Sequence, residues 1–128
     1  MYDLETVKRW ALDEIAKEGE GFIYEEAKRD GNRRPDCYYV DPDTLYPSCL
    51  IGRMFLTNEL VTAEKLTGRE TEDGCPLNEA GVSSVVDTLE LQFTSEAEAF
   101  MSILQGLQDK GEAWGYAYKM AVMAAASD

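Results

Sequence analysis

Histidine is absent from this chain of 128 residues. Its absence excludes Ser-His-Asp and Cys-His catalytic arrangements, zinc or haem sites with histidine ligands, and an imidazole general base. The three cysteines, Cys37, Cys49 and Cys75, are an odd number without Cys-x-x-Cys spacing, which favours neither a disulfide framework nor a thiolate zinc site. We therefore expect no metal and no cofactor, and we favour a protein that is not an enzyme over a small enzyme.

Basic residues are few, and long apolar runs are missing. Twelve Lys and Arg against 25 Asp and Glu give a formal net charge of −13, which repels nucleic acids and anionic membranes. No apolar run is long enough to span a bilayer, and residues 1–5 lack the basic and apolar regions of a signal peptide. We expect a cytoplasmic protein whose partner is a host or cellular protein, with no direct contact to nucleic acid or membrane. The oligomeric state stays open.

Apolar residues make up 45% of the chain, which is usual for one globular domain, here residues 1–128. We predict an α+β fold, mostly helical, with about five helices around a core and one small β-hairpin. Segments 22–24 and 37–40 are predicted to form the hairpin, and the competing interpretation is a helical turn from Phe22 to Lys28. Helical patterns run from Asp3 to about Glu18, from Ser48 through Phe55, from Thr62 to Gly68, from Asn78 to about Leu89, from Ser95 to Gly111, and from Trp114 to Ala125.

The predicted hairpin has a basic tip, in contrast to the acidic remainder of the chain. Its basic side chains and the two tyrosines that follow are Lys28, Arg29, Arg33, Arg34, Tyr38 and Tyr39. Guanidinium groups and aromatic rings can hold an anionic ligand or partner. The alternative, which we favour, is that these charges prevent an exposed strand edge from pairing with other chains.

Segment 47–53 (Pro-Ser-Cys-Leu-Ile-Gly-Arg) predicts a helix that begins near Ser48. In the first turn, unpaired N–H groups favour a thiolate at Cys49, and Arg53 one turn later adds positive charge. The three residues are thus a candidate reactive or ligand-binding site in a small enzyme or small-molecule-binding protein. Because no histidine can act as the base, we favour a buried, unreactive Cys49. Gly52 indicates close packing against another backbone.

The acidic surface is the other candidate site. No basic residue occurs between Arg69 and Lys110, and this stretch begins with a cluster of carboxylates. The members that we assign to an interaction surface are Glu70, Glu72, Asp73 and Glu79. Such a surface can steer a basic partner or imitate a phosphate backbone. The alternative is a solvated face that only keeps the protein soluble.

Four segments together resemble uncharacterised small proteins of actinobacteria and their phages. They are Cys37-Tyr38-Tyr39-Val40, segment 47–53, Phe93-Thr94, and Gln108-Asp109-Lys110-Gly111 with Trp114-Gly115. The resemblance covers most of the chain from about Phe22 onward and implies a phage accessory factor in a bacterial cytoplasm. It supplies no catalytic residues. With the charge, it leads to the hypothesis of a non-enzymatic acidic interaction protein that modulates a host protein.

Overall fold

A computed structural model describes residues 1–24 and 38–126, and within these ranges the chain folds into six α-helices and one 3₁₀ turn. The helices are α1 (Leu4–Glu18), α2 (Leu50–Thr57), α3 (Ala63–Gly68), α4 (Val82–Leu89), α5 (Ser95–Asp109) and α6 (Trp114–Ala126), and the 3₁₀ turn is Leu77–Glu79. The prediction of a mostly helical fold is confirmed. In the described ranges no helix is both long and apolar enough to cross a membrane.

The predicted β-hairpin is not confirmed. Residues 22–24 form no strand, and Val40 pairs with Pro47 in an isolated antiparallel bridge instead. The basic tip, with Lys28, Arg29, Arg33 and Arg34, lies outside the described residues, as does Cys37. Two further isolated bridges join Tyr2 to Phe93 and Glu70 to Pro76.

The helices pack around one continuous apolar cluster. Helices α5 and α6 form the most extensive pair, and α1 packs on α2, α5 and α6. The largest fully buried apolar side chains are Trp114, Tyr39, Phe55, Phe100, Leu50, Ile51, Met54, Leu66, Leu77, Met101 and Leu104. Burial of such side chains is the main stabilising term of the fold. It also fixes the positions of the loops that carry the candidate site residues.

Capping residues determine where several helices begin. Asp3 caps α1 by accepting hydrogen bonds from the backbone N–H (2.9 Å) and the hydroxyl (2.8 Å) of Thr6. Thr62 caps α3 through the N–H of Lys65. Both starts are as predicted. At α5, however, Thr94 rather than Ser95 is the N-cap and accepts from Ala97 N.

Asn78 does not begin a helix, contrary to the prediction. Its side-chain amide instead pairs with the backbone of Val40, accepting from the N–H and donating to the carbonyl, both at 2.9 Å. Asn78 is buried, and its amide satisfies two backbone groups that would otherwise be unpaired in the interior. The 3₁₀ turn and α4 are therefore separate elements on either side of Ala80 and Gly81.

Gly52 brings α2 into contact with the extended segment that contains Tyr39. A Cβ atom at position 52 would lie 2.0 Å from the Tyr39 carbonyl oxygen and 2.7 Å from its Cα atom. The prediction that Gly52 packs closely against another backbone is therefore confirmed. This contact places the start of α2, with Ser48 and Cys49 directly before it, beside the segment that holds Tyr38 and Tyr39.

Candidate functional site

Ser48 and Cys49 lie in the interior, at the start of α2. Cys49 is the N-cap: its thiol accepts from Gly52 N at 3.4 Å, and its own N–H donates to the Tyr38 carbonyl at 3.0 Å. The side chain is fully buried, as predicted, and Ser48 shares a 2.7 Å hydrogen bond with the buried Tyr24 hydroxyl. The N-cap itself is Cys49 instead of the predicted Ser48. The Cys49 thiol thus caps its own helix, whereas the Ser48 hydroxyl joins the start of α2 to Tyr24.

Arg53 contacts Ser48, α1 and α6. Its Nη1 forms an ion pair with the Glu18 carboxylate at 2.7 Å, and its Nε donates to the Ser48 carbonyl at 2.8 Å. The guanidinium also lies over the Trp114 ring, 4.9 Å from its centroid. These contacts fix three elements to one another. The Arg53 guanidinium is therefore already engaged by Glu18, the Ser48 carbonyl and the Trp114 ring.

Chemical modification tests whether Cys49 is unreactive. In a Cys37→Ser variant, which leaves two thiols, we expect a soluble maleimide to label the half-buried Cys75 at least about a hundredfold faster than Cys49, because a buried thiol reacts only after local opening. Mass spectrometry of the native protein over time measures both rates. Rapid labelling of Cys49 in the folded protein would contradict the structural role and favour a reactive site.

Gln108 is a buried polar residue that the sequence analysis missed. Its side-chain oxygen accepts two hydrogen bonds, from the backbone N–H of Leu50 (2.9 Å) and from the indole N–H of Trp114 (3.1 Å). It thereby satisfies the first N–H of α2 from a different helix. The helical periodicity of the sequence could have predicted this burial, because Gln108 follows the buried Leu104 by four residues and therefore lies on the same face of α5.

Tyr39 is not part of an accessible surface, and its assignment to an interaction site is wrong. The side chain is fully buried; its hydroxyl donates to the Ala80 carbonyl at 2.7 Å and accepts from Gln105 at 3.0 Å. Tyr38 is half-buried. The predicted partners of these tyrosines, Arg29, Arg33 and Arg34, lie outside the described residues, so the structure does not place the basic site.

The acidic residues Glu70, Glu72 and Asp73 lie on a tight turn and are exposed. The turn is closed by hydrogen bonds from Gly74 N to the Thr71 carbonyl (3.0 Å) and from Thr71 N to the Cys75 carbonyl (2.9 Å). The Thr71 hydroxyl donates to the Asp73 carboxylate, and this bond lowers the pKa of Asp73 below its ordinary value. The carboxylates are thus held on an ordered loop.

Glu79, the fourth acidic residue of the predicted surface, lies apart from this turn. It is half-buried in the 3₁₀ turn, where Glu79 N donates to the Pro76 carbonyl. Its neighbours Leu77 and Asn78 are buried, so this part of the chain faces the interior. Glu79 is therefore not grouped with the exposed carboxylates of the turn.

The structure brings the turn together with the end of α4. Between them is a shallow groove of about 450 Å³, which we call the acidic groove; it is lined by Arg69, Glu70, Thr71, Glu72, Asp87, Thr88 and Glu90. The four carboxylates are exposed and form no ion pair with any described residue. Asp87 and Glu90 belong to the acidic stretch but were not assigned to the site, because only the tertiary fold places them opposite Glu70 and Glu72.

At the C-terminal end of α4, a glutamate occupies a backbone conformation in which glycine is usual. Leu91 N donates to the Val86 carbonyl (3.0 Å) and Glu90 N to the Asp87 carbonyl (3.3 Å), which is the hydrogen-bond pattern of a Schellman motif. Glu90 is in the left-handed conformation (φ 55°), where glycine is the usual residue. Asp87 and Glu90 also lie at the negative end of the helix dipole, which disfavours carboxylates.

The groove is not an evident metal site, since no group of three or more cysteine or carboxylate side chains in the described ranges could hold a metal ion. Its free carboxylates are instead suited to lysine or arginine side chains. Similarity to known proteins gives no further information about this site. Comparison with protein-family models, curated proteins and solved structures finds no match to the chain.

Proposed function

We propose that this chain is a non-enzymatic binding protein whose acidic groove receives a basic segment of a protein partner. The observation that carries the proposal is the placement of Asp87 and Glu90 at the end of α4. A carboxylate near a helix C-terminus costs about 0.3–1 kcal/mol, and a left-handed non-glycine residue costs about 1 kcal/mol more. The chain keeps acidic side chains where helix stability favours glycine or lysine.

The left-handed glutamate alone does not indicate binding, because Glu59 has the same conformation outside the groove. The grouping of four carboxylates beside the end of α4, without an ion pair to any described residue, is what argues against a role limited to solubility. Solubility requires only net charge, and carboxylates at unstrained surface positions supply it without loss of stability. In the acidic groove, by contrast, the exposed carboxylates form no ion pair with any described residue, although Arg69 also lines the groove, and the partial negative charge of α4 adds to theirs. Departures from local stability rules occur preferentially at functional sites. The pattern therefore supports binding of a cationic partner.

The resemblance of several segments to small actinobacterial and phage proteins supports a host protein in a bacterial cytoplasm as the partner. The rival site at Ser48, Cys49 and Arg53 has less support. Cys49 is fully buried, and Arg53 is engaged by Glu18. A ligand at this position would have to displace contacts that hold α1, α2 and α6 together.

Charge reversal in the groove tests the proposal. The probe is a synthetic arginine–serine repeat peptide, and its affinity is measured by isothermal titration calorimetry at low and physiological salt. We expect Glu72→Lys with Asp87→Lys to weaken binding at least about tenfold, because both substitutions place a cation where the peptide's cations lie. Added salt should weaken wild-type binding as well.

The matched control reverses two exposed carboxylates on α1, Glu5→Lys with Asp13→Lys. It changes the net charge by the same amount, and the Glu5–Lys8 ion pair that it removes is exposed and contributes little. We expect its affinity for the peptide to stay within about threefold of wild type. Equal losses in both variants would show that net charge alone attracts the peptide, and no binding by wild type would reject the proposal.

A further inference from the structure

Arg69 is the one basic residue among the described residues that line the acidic groove. It follows α3 directly in an extended conformation, and its carbonyl accepts from the N–H of the buried Leu77 at 3.0 Å. Glu70, the next residue, pairs with Pro76 in an isolated bridge. The backbone that carries this arginine is therefore fixed to the core.

The Arg69 side chain is exposed, and it forms no ion pair or hydrogen bond in the described parts of the chain. Four carboxylates line the same groove without pairing to it, whereas Lys8, Lys17 and Arg53 each form an ion pair with a glutamate. The four carboxylates and this guanidinium give the groove a formal net charge of −3. An occupant of the groove therefore meets unpaired groups of both signs.

A groove with unpaired charges of both signs discriminates between cationic segments. The carboxylates attract a segment that has only cations, but Arg69 repels it. An anionic side chain placed against Arg69 removes this repulsion and adds a guanidinium–anion contact. Specific interfaces use such repulsive groups to reject other partners. A carboxylate fits better than a phosphoserine, because the phosphoserine charge of about −2 is repelled more strongly by the net negative charge of the groove.

We propose, on the basis of the proposed function above, that Arg69 determines which basic segments the acidic groove accepts. The segment that fits carries one aspartate or glutamate among its lysines and arginines. Its carboxylate pairs with Arg69, and its cations pair with Glu70, Glu72, Asp87 and Glu90. The partner's segment is a basic sequence of mixed charge and not an uninterrupted polycation.

A set of synthetic peptides tests this inference: the plain arginine–serine repeat, and repeats in which glutamate replaces one serine at a time, so that every register is sampled. Isothermal titration calorimetry measures each affinity for wild type and for Arg69→Gln. In the register that places glutamate against Arg69, we expect the substitution to weaken binding of that peptide about threefold. It should strengthen binding of the plain repeat about threefold, so the preference between the two peptides changes about tenfold.

Arg9→Gln is the matched control, since Arg9 is exposed on α1 and does not line the groove. It removes the same charge and should alter the affinities of all the peptides by one common factor, within about twofold. Thermal unfolding confirms that both variants are folded.

The inference is overturned if Arg69→Gln also changes the affinities of all the peptides by one common factor. With a plain repeat that binds wild type, that result rejects only the role of Arg69 and leaves the groove as a site for cations. A plain repeat that does not bind wild type rejects the proposed function and this inference with it.

Discussion

Gly52→Ala is expected to destabilise the fold by about 3 kcal/mol or more, which lowers the melting temperature by roughly 10 °C. The added methyl group would lie 2.0 Å from the Tyr39 carbonyl oxygen, so α2 and the extended segment must separate. Neither side of this contact is a flexible side chain that can move aside. Urea unfolding followed by circular dichroism measures the change in free energy.

Gly106→Ala is the matched control for this substitution. Gly106 lies within α5, is exposed, and has no atom within 4 Å of the position that a Cβ would occupy, apart from its chain neighbours and the backbone of its own helix. Alanine should therefore stabilise the helix there by about 0.5–1 kcal/mol, the opposite sign to Gly52→Ala. A loss below about 1 kcal/mol for Gly52→Ala would contradict the close backbone contact.

Gln108→Met is the second substitution with a large expected effect. Methionine has a similar size but cannot accept the hydrogen bonds from Leu50 N and the Trp114 indole, and both donors are buried. Each buried donor left without an acceptor costs about 1–3 kcal/mol, so we expect a total loss of about 2–6 kcal/mol for the two donors. Urea unfolding again measures it.

Gln92→Met controls for replacement of a glutamine by methionine. Gln92 is exposed, and its side chain donates only a 3.3 Å bond to the Glu90 carbonyl. We expect a change within about 0.5 kcal/mol, as for other surface substitutions. If Gln108→Met costs no more than this control, the buried hydrogen bonds do not hold α2, α5 and α6 together as described.

Local signals allowed much of the fold to be predicted from the sequence. Asp3 and Thr62 cap their helices through residues three positions later, and Gly19 ends α1 with a positive φ angle. Each of these features depends on a few neighbouring residues. The close contact at Gly52 was also predictable, because glycine inside an amphipathic helix lowers helix stability and is therefore expected where another backbone leaves no room for a side chain.

The missed features depend on contacts between residues far apart in the chain. Asn78 looks like an N-cap, but its amide pairs with Val40, 38 residues away. Tyr39 is in a β-favouring run that suggests an exposed edge, whereas its hydroxyl bonds to Ala80 in the interior. The acidic groove likewise forms only when the fold places α4 beside Glu70. The composition shows that acidic residues are abundant, but it does not predict which of them lie close together in the folded chain.

Glu59 provides a close match to Glu90 for the decisive comparison. It follows α2 in the left-handed conformation (φ 59°), with Leu60 N donating to the Phe55 carbonyl at 2.9 Å, so it occupies the same motif position. Glu59 does not line the acidic groove. Replacing either glutamate by glycine removes one negative charge and the same backbone strain.

The affinity of the arginine–serine repeat for Glu90→Gly and Glu59→Gly therefore tests most directly whether the acidic groove is a binding site. We expect both variants to be as stable as wild type or more stable by up to about 1 kcal/mol, because glycine prefers this conformation. Only Glu90→Gly should bind the peptide more weakly, by about fivefold or more. Equal affinity in the two variants, whether both unchanged or both reduced, would contradict a groove-specific contact and leave net charge as the only role of these carboxylates.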